Sequence, residues 1–375
     1  MEQLNEEQFL RKFSEMSFTH SAFIEFMNGQ QPIMQDDVVM TAFRDAIREP
    51  RHAHIFAGAT VLEVGCGSAL LSMLVARQGA ARVFAVDSGD VAQVARHLVR
   101  ENGLDDVIEV IQGDIRQLKL PPIDVIVAKW MGACLLYSTA LDEVIYARDK
   151  WLKSKGYIFP DTARLYLSVA EDRDRDPPRH YWSRFAGLNM SRAACSVQHL
   201  PKVERVLQHQ LISEPQQIWQ MDVRTISSEQ LSFTVPFKLH SQRREIIDLF
   251  VVHFDFGFPG GTAEEVVSTS PCAPSTHWRQ TVFHIDQHLP IEPGDRFAGT
   301  FGVSRGANHL DFDIDWSYRS RLVKIKSHKQ IFRMFGGQQG ADIAEGREVQ
   351  RQAQDPRMST EWGLAMEELP FSLEV

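Results

Sequence analysis

Residues 61–69 read VLEVGCGSA, an apolar run that ends in G-x-G and leads into a helical pattern. A strand, a glycine turn and a helix start place backbone N–H groups and a positive helix end beside a ligand. The chemistry this suits is the holding of a nucleotide or of S-adenosylmethionine. A dinucleotide fingerprint wants glycine at position 70, where Leu70 stands. A methyl-donor site wants it at 69, where Ala69 stands; its Cβ either crowds a close ligand or forces a different φ. Asp87 closes the next apolar run, 83–86, and taken alone reads as a strand-end turn residue. His52 and His54 form an H-x-H with no further ligand at metal spacing, so no metal site is expected. Cys66, Cys134, Cys195 and Cys272 contain no C-x-x-C, which argues for a reducing compartment and against a zinc site or a disulfide framework.

The elements that position these residues follow from periodicity. Five phenylalanines between residues 6 and 27 mark one or two amphipathic helices, and 36–48 is another helical stretch. Then 60–64, 83–86, 107–111 and 123–127 read as buried strands, with helices at 70–77 and 91–100 between them. That alternation predicts a parallel sheet with helical crossovers. After Pro160 the pattern becomes all-β. Leu165, Leu167 and Val169 alternate, as do Phe250, Val252, Phe254 and Phe256. Further strands are expected at 282–285, 297–303, 310–316 and 322–325, giving a barrel or sandwich. Between these parts, 171–190 runs from a charged stretch through Pro177 and Pro178 into Tyr181, Trp182, Phe185, Leu188 and Met190.

With 375 residues the chain has room for two or three domains, and its 43% hydrophobic and 24% charged content is that of a soluble globular protein. The net charge of −9 argues against a general nucleic-acid surface. Residues 336–375 hold eight acids against three arginines, so this tail carries more than half of that charge. MEQLNEEQFL has no basic n-region and no long apolar run follows, so neither a signal peptide nor a membrane span is expected, and a cytoplasmic location is the default.

A longer motif sharpens the reading. AKWMGACLLYSTAL at 128–141 resembles the substrate loop of the protein arginine methyltransferases, S-E-W-M-G-x-x-L-x-x-E-S-M-L. Trp130, Met131, Gly132 and Leu135 match, while Lys129 and Ser138 stand at the two glutamate positions. YARDKWL at 146–152, IFPD at 158–161, STSP at 268–271 and THW at 276–278 extend the resemblance over roughly residues 30–335. It implies a class I, Rossmann-like methyltransferase domain over 49–160 after N-terminal helices at 1–48. A β-barrel at 161–335 follows, with a helical dimerisation arm at about 171–198 and an acidic extension at 336–375. Tyr181, Trp182, Phe185, Leu188 and Met190 are the expected arm anchors.

The resemblance also assigns the site. The family's two glutamates grip the substrate guanidinium by charge-assisted hydrogen bonds. Lys129 reverses one of those charges; a unit pair at ~4 Å and an effective dielectric of ~20 is worth about 4 kcal/mol. Ser138 offers a hydroxyl without charge. In the cofactor site Gly65, Gly67 and Asp87 match the family, Asp87 as the ribose ligand. Val39 stands where an arginine would meet the cofactor carboxylate, and Arg116 where a glutamate would meet the adenine amino group; with Ala69 these are the departures. The histidine of THW, His277, is expected to pin Asp36 of the N-terminal helix to the barrel, with Trp130 and Tyr137 as scaffold. Losses at both ends of the site lead to the expectation of a pseudoenzyme with weak or no S-adenosylmethionine binding. Such a chain would be a prozyme-like regulatory subunit that hetero-oligomerises with an active type I arginine methyltransferase. An active methyltransferase with a different acceptor and a peptide- or RNA-binding module are the alternatives, direct nucleic-acid binding being disfavoured by charge.

Overall fold

The computed structural model describes residues 19–172, 184–185, 188–189, 199–261, 266–306, 309–319 and 326–335. The chain enters through α1 (His20–Glu25), whose first turn is capped by Thr19 Oγ1 accepting from Ala22 N at 3.2 Å. A π-helical turn at Phe26–Gln30 and the short α2 (Gln31–Met34) lead to α3 (Asp37–Arg48). Asp36 caps α3 by accepting from Val39 N at 3.0 Å, satisfying one of the amides that a helix start leaves open. Pro50–His52 forms a 3₁₀ turn that runs into α4 (Ala53–Phe56).

Five strands then build the first sheet: β1 (Thr60–Val64), β2 (Arg82–Asp87), β3 (Ile108–Gln112), β4 (Ile123–Val127) and β5 (Leu152–Phe159). Their order is β3-β2-β1-β4-β5, and every neighbouring pair is parallel. The crossovers are α5 (Leu70–Arg77), α6 (Val91–Glu101) and α7 (Ala140–Trp151). Helices on a parallel sheet cover both of its faces, which is why β1 and β4 read as nearly unbroken apolar runs. The charged exceptions are Glu63 in β1, buried at 1% exposure, and the half-buried Asp124 in β4. The chain winds outward from β1 through β2 to β3, then restarts on the other side with β4. This reversal sets the topological switch point at the carboxyl ends of β1 and β4, the usual ligand position in such sheets.

Beyond β5 the strands are antiparallel. One sheet has the order β10-β6-β12-β14-β9, with β13 on β12; its strands are β6 (Thr162–Ala170), β9 (Lys202–Glu204), β10 (Gln216–Asp222), β12 (Glu245–Gly257), β13 (Val266–Ser268) and β14 (Gln280–Ile291). The other runs β11-β15-β16-β17: Phe233–His240, Arg296–Arg305, His309–Arg319 and Lys326–Phe335. The alternation expected along 250–256 gives way in β12 to a stretch from Leu249 to Phe254 buried on both faces. One face joins the main core, and the other packs Leu249 and Val251 with Ala170, Val206 and Val282.

Where a helical arm is expected, the described backbone is extended. β7 (Arg184–Phe185) pairs with β8 (Leu188–Asn189), with Phe185 opposite Leu188. Leu188 is 65% exposed. Tyr181, Trp182, Met190, the strand expected at 322–325 and the extension at 336–375 lie outside the described residues. No helix among the described residues is long and apolar enough to cross a membrane.

The two parts share one hydrophobic core, which runs from Val39 and Phe43 through the parallel sheet to Phe254, Phe283 and Phe312. Polar bonds stitch the boundary as well. Trp130 Nε1 donates to the Pro160 carbonyl at 3.1 Å, and Trp278 Nε1 to the Met131 carbonyl at 3.2 Å. Arg148 Nη1 donates to the carbonyls of Val223 and Ile226, each at 2.7 Å.

Candidate active site

The carboxyl ends of β1, β2 and β4 bring Gly65, Gly67, Asp87 and Lys129 together. Gly65 (φ 67°), Gly67 (φ 52°) and Ala69 (φ 56°) all take the left-handed region. Ala69 therefore keeps a glycine-like φ rather than shifting it, at a strain of roughly 1 kcal/mol for a residue with a Cβ. It is fully buried and forms the N-cap of α5. Asp87 spans the turn: one carboxylate oxygen accepts from Gly67 N at 2.8 Å, the other from Gly89 N at 2.9 Å.

The N-terminal segment lies over these turns. The Gln30 side chain occupies the space that a Cβ on Gly67 would need, and its Oε1 is buried with no hydrogen-bond partner among the described residues. Glu25 packs against Gly89 and accepts from Val91 N at 3.0 Å, at the start of α6. Sequence reasoning missed both residues, because no local pattern ties them to glycines so far along the chain.

Glu63 points beneath the turn and accepts from Ser72 N at 2.8 Å and Ser72 Oγ at 2.5 Å. Burial pushes its carboxyl up to about 7, against the pull of the Ser72 bonds and of Lys129. The same burial drives the Cys66 thiol well above the usual range, so Cys66 is a poor nucleophile. Lys129 is half-buried. Loss of water holds its ammonium below the usual lysine range, while Glu63, Cys66 and Asp87 oppose that shift.

The other departures are structural in character. Val39 is fully buried and belongs to the hydrophobic core. Arg116 lies on the 3₁₀ turn Ile115–Gln117, half exposed, with its guanidinium 6.0 Å from the centroid of Tyr146. Ser138 Oγ accepts from Ala140 N at 3.1 Å and so serves the start of α7. The loop between Lys129 and Ser138 is a tight turn: Gly132 N donates to the Leu135 carbonyl at 2.9 Å, and Cys134 and Leu135 take φ of 49° and 67°. Gly132 lies so close to the Tyr137 carbonyl that a Cβ would collide with it.

Besides the Trp278 bond to Met131, two side-chain links tie the N-terminal helix α3 and the end of this loop to the barrel. Asp36 Oδ2 accepts from both His277 N and His277 Nδ1 at 2.7 Å, as expected of a pin. Burial pushes the Asp36 carboxyl up, but the His277 and Val39 bonds outweigh it and leave the group below its ordinary value. Arg305 of β15 grips Asp142 of α7 with both Nη atoms, at 2.9 and 2.6 Å, and donates to the Ser138 carbonyl at 3.3 Å. Arg305→Gln should cost about 2 kcal/mol, since it strips a partly buried carboxylate of a bidentate partner. Urea denaturation checks this, and a loss within ~0.5 kcal/mol would show the fork to be a surface ornament.

Residues 61–156 match the methyltransferase domain family, and residues 161–321 match the arginine methyltransferase oligomerization subdomain. The chain is 32% identical over 326 residues to protein arginine N-methyltransferase 1 of Dictyostelium discoideum, covering 85% of this chain and 95% of the relative. The chain belongs to the protein arginine methyltransferase family. It is also 34% identical over 298 residues to protein arginine N-methyltransferase 8-B of Danio rerio, covering 78% of this chain and 71% of that one. Among solved structures it resembles a chain of the Trypanosoma brucei PRMT1 enzyme–prozyme heterotetrameric complex with AdoHcy. That match has a TM-score of 0.76 and 32% identity, covering 83% of this chain and 99% of the other.

Family membership corrects two expectations. The chain was expected to be a pseudoenzyme, but its relatives are protein arginine N-methyltransferases. It was also expected to hold no cofactor, but it carries the family's methyltransferase domain, and the similar structure is a complex with AdoHcy. The physical reason lies in the turn. Much of such a site is backbone, and the left-handed turn with its Asp87 brace persists whatever the side chains at 39, 69 and 116.

Proposed function

We propose that this chain is a prozyme-like regulatory subunit of a hetero-oligomeric type I protein arginine methyltransferase. In this reading it seats a second, arginine-methylating chain of the family on its 161–321 domain and raises that chain's activity and stability. The observation that carries the reading is the loop at 128–138. Its turn, its buried Trp130 and its ties to the barrel match the family frame, yet Lys129 and Ser138 stand at the positions of the guanidinium-binding carboxylates. A second chain bearing both carboxylates completes the clamp at the level of the assembly. The enzyme–prozyme heterotetramer to which this chain is similar supports the same arrangement. The free, buried thiols of Cys66 and Cys134 suit a reducing compartment such as the cytoplasm.

The chain's own residues fit S-adenosylmethionine. Gly65 and Gly67 permit close backbone approach, the Asp87 carboxylate accepts hydroxyl hydrogens, and the unpartnered Gln30 Oε1 is an acceptor of the kind an ammonium donor needs. When bound, the group supplies an electrophilic sulfonium methyl. In this reading Val39, Ala69 and Arg116 adjust the site by removing a carboxylate partner, adding a Cβ and substituting a cation for an acceptor.

The test compares this chain, a paralogue carrying both glutamates, and the two together, on an arginine-rich peptide. The mixture is expected to exceed the sum of the separate rates at least about tenfold, equal to ~1.4 kcal/mol of barrel-borne activation. The two chains should also co-elute. Additive rates and separate elution would refute the pairing.

A further inference from the structure

Lys129 occupies an unusual place for a lysine. β1 and β4 run in parallel register, with Glu63 opposite Val127. Two residues further along, Lys129 is level with the Gly65–Gly67 turn, at the switch point where the sheet order reverses. Its side chain is half-buried, and its amine makes no hydrogen bond or ion pair among the described residues. The charged and thiol groups it faces are Glu63, Cys66 and Asp87. An amine that is desolvated, unpaired and still reachable has a free lone pair more often than a surface lysine does, which is the state in which amines act as nucleophiles. The same position in the family frame is the acceptor end of the methyl-donor site. The Lys129 amine is the chain's own nucleophile at that end of the site.

We propose that Lys129 is itself a methyl acceptor, taking the methyl group of S-adenosylmethionine bound by the same chain. The Lys129 ammonium first gives a proton to water. The Nζ lone pair then forms the N–CH₃ bond while the carbon–sulfur bond of the sulfonium breaks. That bond's electron pair stays on sulfur, which leaves as a thioether, and Lys129 becomes a methylammonium. No further co-reactant is needed. The inference rests on the S-adenosylmethionine site proposed above and not on the pairing with a paralogue.

The full-length chain is incubated with isotopically labelled S-adenosylmethionine and followed by intact-protein and peptide mass spectrometry, with calorimetric binding measured in parallel. The expected result is a stoichiometric gain of one methyl group located on Lys129. Lys129→Arg and Lys129→Gln should abolish the gain while still binding the donor. A second readout needs no turnover: Lys129 should react with an acylating reagent at lower pH than the chain's other lysines, and S-adenosylmethionine should protect it. A chain that binds the donor but stays unmodified overturns this proposal alone. So does a methyl group that persists in both variants. A chain that binds no donor overturns it together with the cofactor site, and leaves the pairing to its own test.

Discussion

Trp130→Ala is expected to lower the stability of the chain by about 4 kcal/mol, the usual range for a fully buried aromatic. Trp130 has no exposed surface and is among the largest fully buried side chains of the core. Truncation leaves a cavity that neighbours fixed in sheet and helix can close only in part. It also strands the Pro160 carbonyl, which accepts from Trp130 Nε1. Trp130→Phe separates the two costs, since it retains most of the volume and loses about 1 kcal/mol with the hydrogen bond. Urea denaturation of both variants makes the measurement. A Trp130→Ala loss no greater than that of Trp130→Phe would mean that the loop collapses freely onto the gap. Because Lys129 is its immediate neighbour, the alanine variant should also lose the distinctive reagent sensitivity of that amine.

Glu63→Gln should change the way stability depends on pH. In the folded chain the Glu63 carboxyl titrates at about 7 because it is buried, against an ordinary 4.5. Between those two values the unfolded chain has released its proton and the folded chain still holds it. Wild-type stability therefore falls as pH rises through this window, and the loss is complete above about 7. A shift of this size corresponds to about 3 kcal/mol. Glutamine keeps an oxygen for Ser72 N and Ser72 Oγ to donate to, yet never ionises. The variant should match the wild type below pH 4.5 and exceed it by about 3 kcal/mol at pH 8, when the two are compared at each pH. Equal slopes for both proteins between pH 4.5 and 7 would place the buried proton on another group.

The parallel sheet was legible because its signal is local. The runs at 60–64 and 123–127 are mostly apolar, broken by Thr60, Glu63 and Asp124, and the structure places β1 and β4 on those residues. The helix expected at 70–77 is α5 residue for residue. The partnership of Asp36 with His277 was also foreseen, through the family frame. Contacts that cross the chain were not legible. Gln30 over Gly67, Glu25 at the start of α6 and Arg305 on Asp142 each join segments with no shared periodicity. Nor was it legible that Ser138, which stands at a carboxylate position in the family frame, accepts from Ala140 N at the start of α7. The pseudoenzyme reading failed for a related reason. It counted side chains at 39, 69, 116, 129 and 138, whereas the relatives are protein arginine N-methyltransferases and the Gly65–Ala69 turn keeps backbone angles that a substitution list does not record.

The bonds across residue 160 bear on how variants of this chain should be interpreted. Trp278 holds the Met131 carbonyl, Arg305 holds Asp142, Arg148 holds Val223 and Ile226, and a single apolar core runs beneath them. A fragment ending at the boundary would bare these groups together, so the chain is built to melt in one step rather than two. Genetics on such a molecule is easily misread. A barrel substitution that silences methylation looks like a defect in assembly, yet it can act by loosening the Lys129 loop inside the same subunit. Loss of function and loss of subunit contact are therefore separate phenotypes here, and each barrel variant needs both a melting curve and an association measurement.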